Sequence, residues 1–288
     1  TTGFRFLDNI IGGFDAEELI IIGARTGMGK TTLALNLCVN AMKKGYKSMF
    51  VSLEMSTNAL TYKMASDITG IEYSDFNEGK LSSDEMNIVS KTCSPILSNL
   101  FSSDATGITL EKLKALARQR SKTDGLDIMN VGDQNYNKKA EHEKLGYISR
   151  ELKNLAAELK IPVVALAQLS RGLEKSDNKK PMMSDLRGSG AIEQDANKIL
   201  FIHRDAYYND STSDECEIIV AKNRSGGLGS VPVTFNGATS SFRQVTKEAK
   251  PVVINDNKPT QRYNQPQELS DFDTNNDISR VTNQTMFN

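Results

Sequence analysis

Gly23-Ala24-Arg25-Thr26-Gly27-Met28-Gly29-Lys30-Thr31-Thr32 is the stretch whose reading decides the fold. An apolar run over residues 19–22 precedes it, and Leu33-Ala34-Leu35-Asn36-Leu37 continues it as a helix. A strand, a glycine-rich turn and a helix opening on Gly-Lys-Thr are the context of a phosphate-binding loop. Gly27 and Gly29 let the backbone wrap closely around an anion, so that successive N–H groups point inward. The helix N-terminus behind them adds a favourable dipole. Lys30 is then positioned for the β- and γ-phosphates, and the Thr31 hydroxyl for Mg²⁺. Ala24 stands where the motif begins with glycine, at little cost, because the cradle depends on the later glycines. Residues 23–32 therefore predict binding of ATP or another nucleoside triphosphate together with Mg²⁺.

The chain has 288 residues, enough for one large domain or two small ones. Its 35 basic and 36 acidic residues balance, so nucleic acid would have to be met by a local patch or loop and not by the whole surface. Cys38, Cys93 and Cys216 are few, far apart and odd in number. That argues against a disulfide framework or a zinc site and fits a reducing, cytoplasmic setting. No apolar run approaches the ~20 residues of a membrane helix. The sequence opens on Thr1 and not Met, which leaves room for a preceding segment.

Along the chain, strand-length apolar runs alternate with helical patterns. Residues 47–53 read as a second buried strand, followed by a helix from N-cap Ser56 to Thr69. Residues 82–98 and 109–122 read as helices with a short strand over 100–103 between them, and 125–133 as another strand. Leu145, Ile148, Leu152, Leu155 and Leu159 recur at helical spacing, the stripe of a helix packed on a sheet. Ile161-Pro162-Val163-Val164-Ala165-Leu166-Ala167 has the continuous apolarity of a parallel strand buried on both faces. Residues 171–190 read as a long polar loop, and 198–203, 215–222 and 231–235 as the last strands. The alternation predicts an α/β fold with a mostly parallel twisted sheet flanked by helices. Residues 1–248 are expected to form this domain. Residues 249–288, rich in Asn, Gln, Asp and Thr, are expected to be a disordered polar tail.

Hydrolysis demands more than a cradle. In a parallel sheet the ligand lies at the carboxyl ends of the strands. Glu54, closing the second strand, is thereby a candidate general base, and Asp133, closing the strand over 125–133, a candidate carboxylate on the Mg²⁺ side. Asn130 and Gly132 interrupt that strand and weaken its signal. Gln168 emerges at the same edge, where an amide can sense the γ-phosphate. Lys222 and Arg224, two apart on an extended segment, point one way. Arriving from the far side of the sheet, they are better placed for a neighbouring subunit's nucleotide than for their own, as an arginine finger in trans.

Several motifs in order carry a resemblance. Ser52-Leu53-Glu54-Met55-Ser56, Ala167-Gln168-Leu169-Ser170-Arg171, Pro181-Met182-Met183-Ser184-Asp185-Leu186-Arg187, Ile192-Glu193-Gln194-Asp195-Ala196 and Ala221-Lys222-Asn223-Arg224, with the phosphate loop, resemble the C-terminal motor domain of DnaB-type replicative DNA helicases, bacterial or phage. The likeness covers roughly residues 1–245. It implies a RecA-like core in a homo-hexameric ring that encircles and translocates along single-stranded DNA, driven by ATP hydrolysis between subunits. It casts Lys30 and Thr31 as phosphate and Mg²⁺ ligands, Glu54 as the catalytic glutamate, Gln168 as the nucleotide sensor, and Lys222 and Arg224 as fingers in trans. It also places Arg187, Gly188, Ser189 and Gly190 in the central pore as a DNA-binding loop. One such loop per subunit gives sequence-independent phosphate contacts without a basic surface. Primase and a helicase loader are the partners the family implies.

Two departures stand out. The family's strand ends in Asp-Tyr-Leu-Gln, whereas this chain has Val131-Gly132-Asp133-Gln134-Asn135-Tyr136, shifted by about one residue; Gly188 stands where the family carries an acidic residue. The family's helical N-terminal domain is not in this sequence. A RecA-like DNA-dependent ATPase that does not unwind, acting in recombination or repair, and a catalytically impaired ring subunit are the competing readings.

Overall fold

The computed structural model describes residues 1–104, 108–132, 141–175, 178–186, 189–209 and 212–245. Contacts divide the chain after Val253, with Thr1–Val253 as one unit. The expected tail over 249–288 lies outside the described residues. The helices are α1 (Arg5–Ile11), α2 (Lys30–Met42), α3 (Thr57–Thr69), α4 (Tyr73–Glu78), α5 (Ser83–Leu97), α6 (Leu110–Thr123), α7 (Glu141–Leu159) and α8 (Ser189–Asp195). The strands are β1 (Leu19–Ala24), β2 (Ser48–Ser52), β3 (Leu100–Asp104), β4 (Ile128–Val131), β5 (Val163–Gln168), β6 (Lys198–His203), β7 (Glu215–Asn223), β8 (Gly229–Asn236) and β9 (Ser241–Gln244).

Among the described residues these strands form one sheet in the order β3-β2-β4-β5-β1-β6-β7-β8-β9. Strands β3 through β6 in that order run parallel, and β7, β8 and β9 continue it antiparallel. The mostly parallel α/β architecture read from the sequence is the one observed. Every residue of β1, β2, β4 and β6 is buried. The two-residue period then sorts side chains to the two faces. Ile20 and Ile22 of β1, Val164 and Leu166 of β5, and Leu200 and Ile202 of β6 share one core with α1 and α2. Leu19 and Ile21, Val163 and Ala165, and Ile199 and Phe201 share the opposite core with α6 and α7. The stripe on α7 packs there, with Leu152 and Leu155 buried, so it is a helix-on-sheet stripe.

Local rules account for the element ends. Ser56 Oγ caps α3 by accepting from Ala59 N at 3.3 Å, and Ser82 with Glu85 forms a capping box at α5. Residues 1–18 are more ordered than their reading as a lead-in: α1 forms there, its Leu7 and Ile11 buried, and Gly12 closes it in the left-handed region. The segment read as a loop over 171–190 is also corrected. It holds 3₁₀ turns at Arg171–Lys175 and Met183–Asp185, and α8 begins at Ser189.

Asn36 ties α2 to the antiparallel end of the sheet. Its Nδ2 donates to Ser240 O at 3.2 Å and its Oδ1 accepts from Phe242 N at 2.6 Å, all in a buried setting. Asn36→Ala leaves a buried carbonyl and a buried N–H unpaired, so urea unfolding is expected to show a loss of about 2–4 kcal/mol. A midpoint equal to wild type would show that the bridge contributes nothing.

Candidate nucleotide site at the carboxyl edge of the sheet

Because β2, β4, β5, β1 and β6 are parallel neighbours, the residues that follow them share one edge. At that edge stand Glu54 beyond β2, Gly132 beyond β4, Gln168 closing β5, the loop after β1, and Arg204 beyond β6. Glu54 is exposed, in the bend held by Met55 N donating to Ser52 Oγ at 2.9 Å. Three strand spacings, roughly 14 Å at ~4.8 Å each, separate β2 from β1. Glu54 and the overhanging loop must span that gap across the edge.

The loop itself has the backbone its sequence asks for. Gly27 and Gly29 lie at φ +83° and +93°, a region only glycine enters freely. A Cβ on Gly29 would stand 2.9 Å from Phe242 Cζ, and one on Gly27 3.3 Å from Tyr207 Cε2. Gly29 is the N-cap of α2, and Lys30 and Thr31, both half-buried, are its first residues. Met28 N donates to Arg25 O at 3.3 Å and Leu33 N to Gly29 O at 2.8 Å, closing the turn into the helix. Gly23 and Ala24 still belong to β1, where a Cβ on Gly23 would stand 2.8 Å from the Phe201 ring. Met28 and Thr32 are buried. A glycine cradle capped by a helix N-terminus, with a lysine and a hydroxyl at the first helical positions, fits a triphosphate and one Mg²⁺ ligand.

Two side chains of the loop are held from β5. Gln168 Nε2 donates to Thr26 Oγ1 at 2.7 Å. The Arg25 guanidinium, 5% exposed, donates to Leu169 O at 2.6 Å and to Glu174 Oε1 at 2.9 and 2.5 Å. Arg25 thus lies in the loop while its side chain binds protein.

Asp133 lies outside the described residues, as do Arg187 and Gly188. What is described beside Asp133 is a well-formed β4. Asn130 is fully buried and its Nδ2 donates to Met49 O at 3.4 Å. Gly132 N donates to Val51 O at 2.8 Å, and a Cβ on Gly132 would stand 3.2 Å from Leu53 N. Glycine therefore marks a close approach of two backbones and not a broken strand. Ser189 and Gly190, read as loop, are the first residues of α8. Among the described residues no group of three or more His, Cys, Asp or Glu is arranged to hold a metal.

Lys222 and Arg224 sit at the opposite edge. β7 runs antiparallel to β6, and Ile199 pairs with Lys222 and Lys198 with Asn223, at the start of β6. Five strand rises of ~3.3 Å put them roughly 17 Å from the carboxyl edge of their own subunit. Lys222 Nζ donates to Glu193 O and Arg224 Nη2 to Gln194 O, at the C-terminal end of α8. Burial first, and then the neighbouring Arg224, hold Lys222 below the usual lysine range.

Arg204 is a residue that the sequence reading does not single out. Its Nη1 lies 3.5 Å from Gly27 O and its guanidinium 4.2 Å from the Phe235 ring centre. Its signal is a cation following the apolar run over 198–203, the same logic that points to Glu54 and Gln168.

Gly29→Ala is expected to lower nucleotide affinity at least tenfold in titrations with a fluorescent ATP analogue. A left-handed alanine costs ~1–2 kcal/mol before the Phe242 contact is counted. Gly45, also left-handed but with nothing within 4 Å of its Cβ, is the control: Gly45→Ala should keep the affinity. Equal affinity of Gly29→Ala and wild type would remove the cradle.

Comparison with known proteins bears on the family and the fold. The family model described as DnaB-like helicase C terminal domain matches residues 1–244. The replicative DNA helicase DnaB of Haemophilus influenzae is 38% identical over 263 residues, 86% of this chain and 56% of that protein. A solved ATPase domain superposes with a TM-score of 0.78 at 30% identity, covering 85% of this chain and 90% of that one. A solved structure of a DnaB-like replicative helicase and its interactions with primase gives 0.78 at 30% identity, covering 85% of this chain and 61% of that one. The chain spans about half the length of the curated relatives it matches.

Proposed function

The chain belongs to the DnaB-like helicase C-terminal domain family, and from that premise we propose that it is the ATP-driven motor of a replicative DNA helicase. The observation that carries the reading is the pair of opposed edges. A phosphate cradle, Glu54 and Gln168 occupy one, and Lys222 and Arg224 the other. A single subunit cannot close its two edges on one nucleotide, whereas a ring in which each subunit's amino edge faces the next one's carboxyl edge can.

In that arrangement Lys30 and the loop N–H groups hold the triphosphate, and the Thr31 hydroxyl is a ligand of Mg²⁺, which neutralises phosphate charge when bound. Glu54 accepts a proton from the attacking water. Gln168 contacts the γ-phosphate in place of Thr26. Lys222 and Arg224 leave the α8 carbonyls and neutralise phosphoryl charge on the neighbour's nucleotide. Arg187, Gly188, Ser189 and Gly190 contact DNA phosphates in the centre of a homo-hexamer. The motor domain extends over residues 1–248, with the rest a polar tail. Primase is the partner that the solved helicase complex suggests, with a loader as a further partner and the cytoplasm as the setting. No described helix is long and apolar enough to cross a membrane.

One observation favours a second reading. At the carboxyl end of β4, Gly132 lies against β2 without a side chain, so the Mg²⁺-side carboxylate must come from Asp133, one residue later. If Asp133 fails to reach the metal, the chain is an impaired ring subunit.

ATP turnover with and without single-stranded DNA separates these readings: stimulated turnover is expected, and its absence supports the impaired subunit. Forked-duplex unwinding then distinguishes the helicase from a RecA-like ATPase that does not unwind. Arg224→Ala is expected to bind nucleotide normally and to lose turnover by ~10³-fold or more. Mixing it with Lys30→Ala subunits should restore part of the rate, because each supplies what the other lacks. No recovery would argue against action between subunits.

A further inference from the structure

Leu169, the residue after β5, is held on both sides. Toward the phosphate loop, Leu169 N donates to Ala24 O at 3.1 Å and Leu169 O accepts from Arg25 Nη1 at 2.6 Å. Gln168, one residue earlier, holds Thr26. Ala24 at the end of β1 and the loop residues Arg25 and Thr26 are thus each anchored to residues 168–169. In the other direction, Leu169 forms an antiparallel bridge with Leu186, and Ser170 N donates to Asp185 O at 2.8 Å. Leu186 is the residue immediately before Arg187. Both bridging leucines are buried, at 0% and 3% exposure, so neither can shift without disturbing the core around it.

Glu174 closes this arrangement. Its Oε1 accepts two hydrogen bonds from Arg25, and the 3₁₀ turn Arg171–Lys175 that carries it follows directly from Ser170. Arg25 is buried, and a buried guanidinium that loses its carboxylate is left with an uncompensated charge. Without Glu174 it would keep, among the described residues, Leu169 O alone and be driven toward solvent, removing the middle one of three anchors and loosening the loop against β5.

We propose that Glu174 is a positioning residue which, through Arg25, locks the phosphate loop to Leu169 and so transmits nucleotide occupancy, by way of the Leu169–Leu186 bridge and the Ser170–Asp185 bond, to the residues from Arg187 onward proposed above to contact DNA. The inference rests on the functional reading above and names the part that couples its two ligands. Glu174 itself need touch neither nucleotide nor DNA.

The test is an equilibrium linkage. A fluorescent single-stranded oligonucleotide is titrated with the full chain, with and without a saturating non-hydrolysable ATP analogue and Mg²⁺. The ratio of the two Kd values is the coupling, typically about 5–150-fold where two sites communicate. Glu174→Ala is expected to bring that ratio within about twofold of unity, and Glu174→Asp to keep part of it. A role in local stability alone would lower the melting temperature and leave the ratio unchanged, and that result overturns the proposal. Should the alanine variant not fold, Glu174→Gln, which keeps an acceptor but not the charge, is read the same way, and a wild-type ratio overturns the proposal. Wild type that binds DNA with no nucleotide effect overturns the coupling alone. Wild type that binds no DNA overturns the functional reading, and the coupling with it.

Discussion

The parallel pairing of β1 with β5 on one side and β6 on the other is the constraint from which the site follows. Leu19 opposite Val163 through Ala24 opposite Gln168, and Ile20 opposite Lys198 through Gly23 opposite Phe201, fix the register over nearly the whole strand. The apolar side chains of these strands fill both faces, and a one-residue slip would exchange every one of them between two filled cores. That register brings Gln168 to Thr26 and Arg204 to Gly27. It adds these contacts to those that Arg25 makes with Leu169 and Glu174. The cradle is therefore preorganised by sheet pairing and not by the loop alone.

The same pairing holds Lys153, Lys198, Lys222 and Arg224 at the opposite edge. At the amino edge, buried Lys198 pairs with Glu18, and Lys153 Nζ donates to Asn197 Oδ1 at 2.8 Å and to Glu17 O at 2.7 Å. Arg224 N donates to Asn197 O at 3.0 Å. The register of β7 shifts between Ile199 and Leu200, leaving Ala221 as an extra residue just before Lys222. The bulge bends the strand where Lys222 and Arg224 leave it. Burial and the Arg224 charge keep Lys153, like Lys222, below the usual lysine range. These cations are held by the Glu18 carboxylate, the Asn197 side chain and backbone carbonyls at the far end of the sheet from the phosphate loop. An anionic partner brought to that edge would relieve their mutual repulsion.

Much of this is legible in the chain, and for identifiable reasons. The loop over 23–32, the helix capped by Ser56 and the strands ending near Glu54 and Gln168 depend on local rules that sequence displays. Lys222 and Arg224 are readable as far-side residues because an extended segment following β6 has to run against it. What the chain does not display depends on tertiary contacts. α1 and α4 are short helices of seven and six residues, set by packing and left-handed glycine ends. β9 is a four-residue strand joined to α2 through Asn36. The first turn of α8 begins inside a glycine-bearing stretch that composition assigns to loop. Arg25 reads as part of a phosphate site, and nothing local reveals that its side chain is taken up by Glu174, 149 residues away. Gly132 reads as a weakness of β4, whereas it permits the strand to close against β2.

The most direct measurement is a structure of the assembled full chain with Mg²⁺ and a non-hydrolysable ATP analogue. Each γ-phosphate is expected to lie beside Lys30, Glu54 and Gln168 of one subunit and within contact of Arg224 from the next. A nucleotide bound at the amino edge, or one reached by Arg224 of the same subunit, would contradict it.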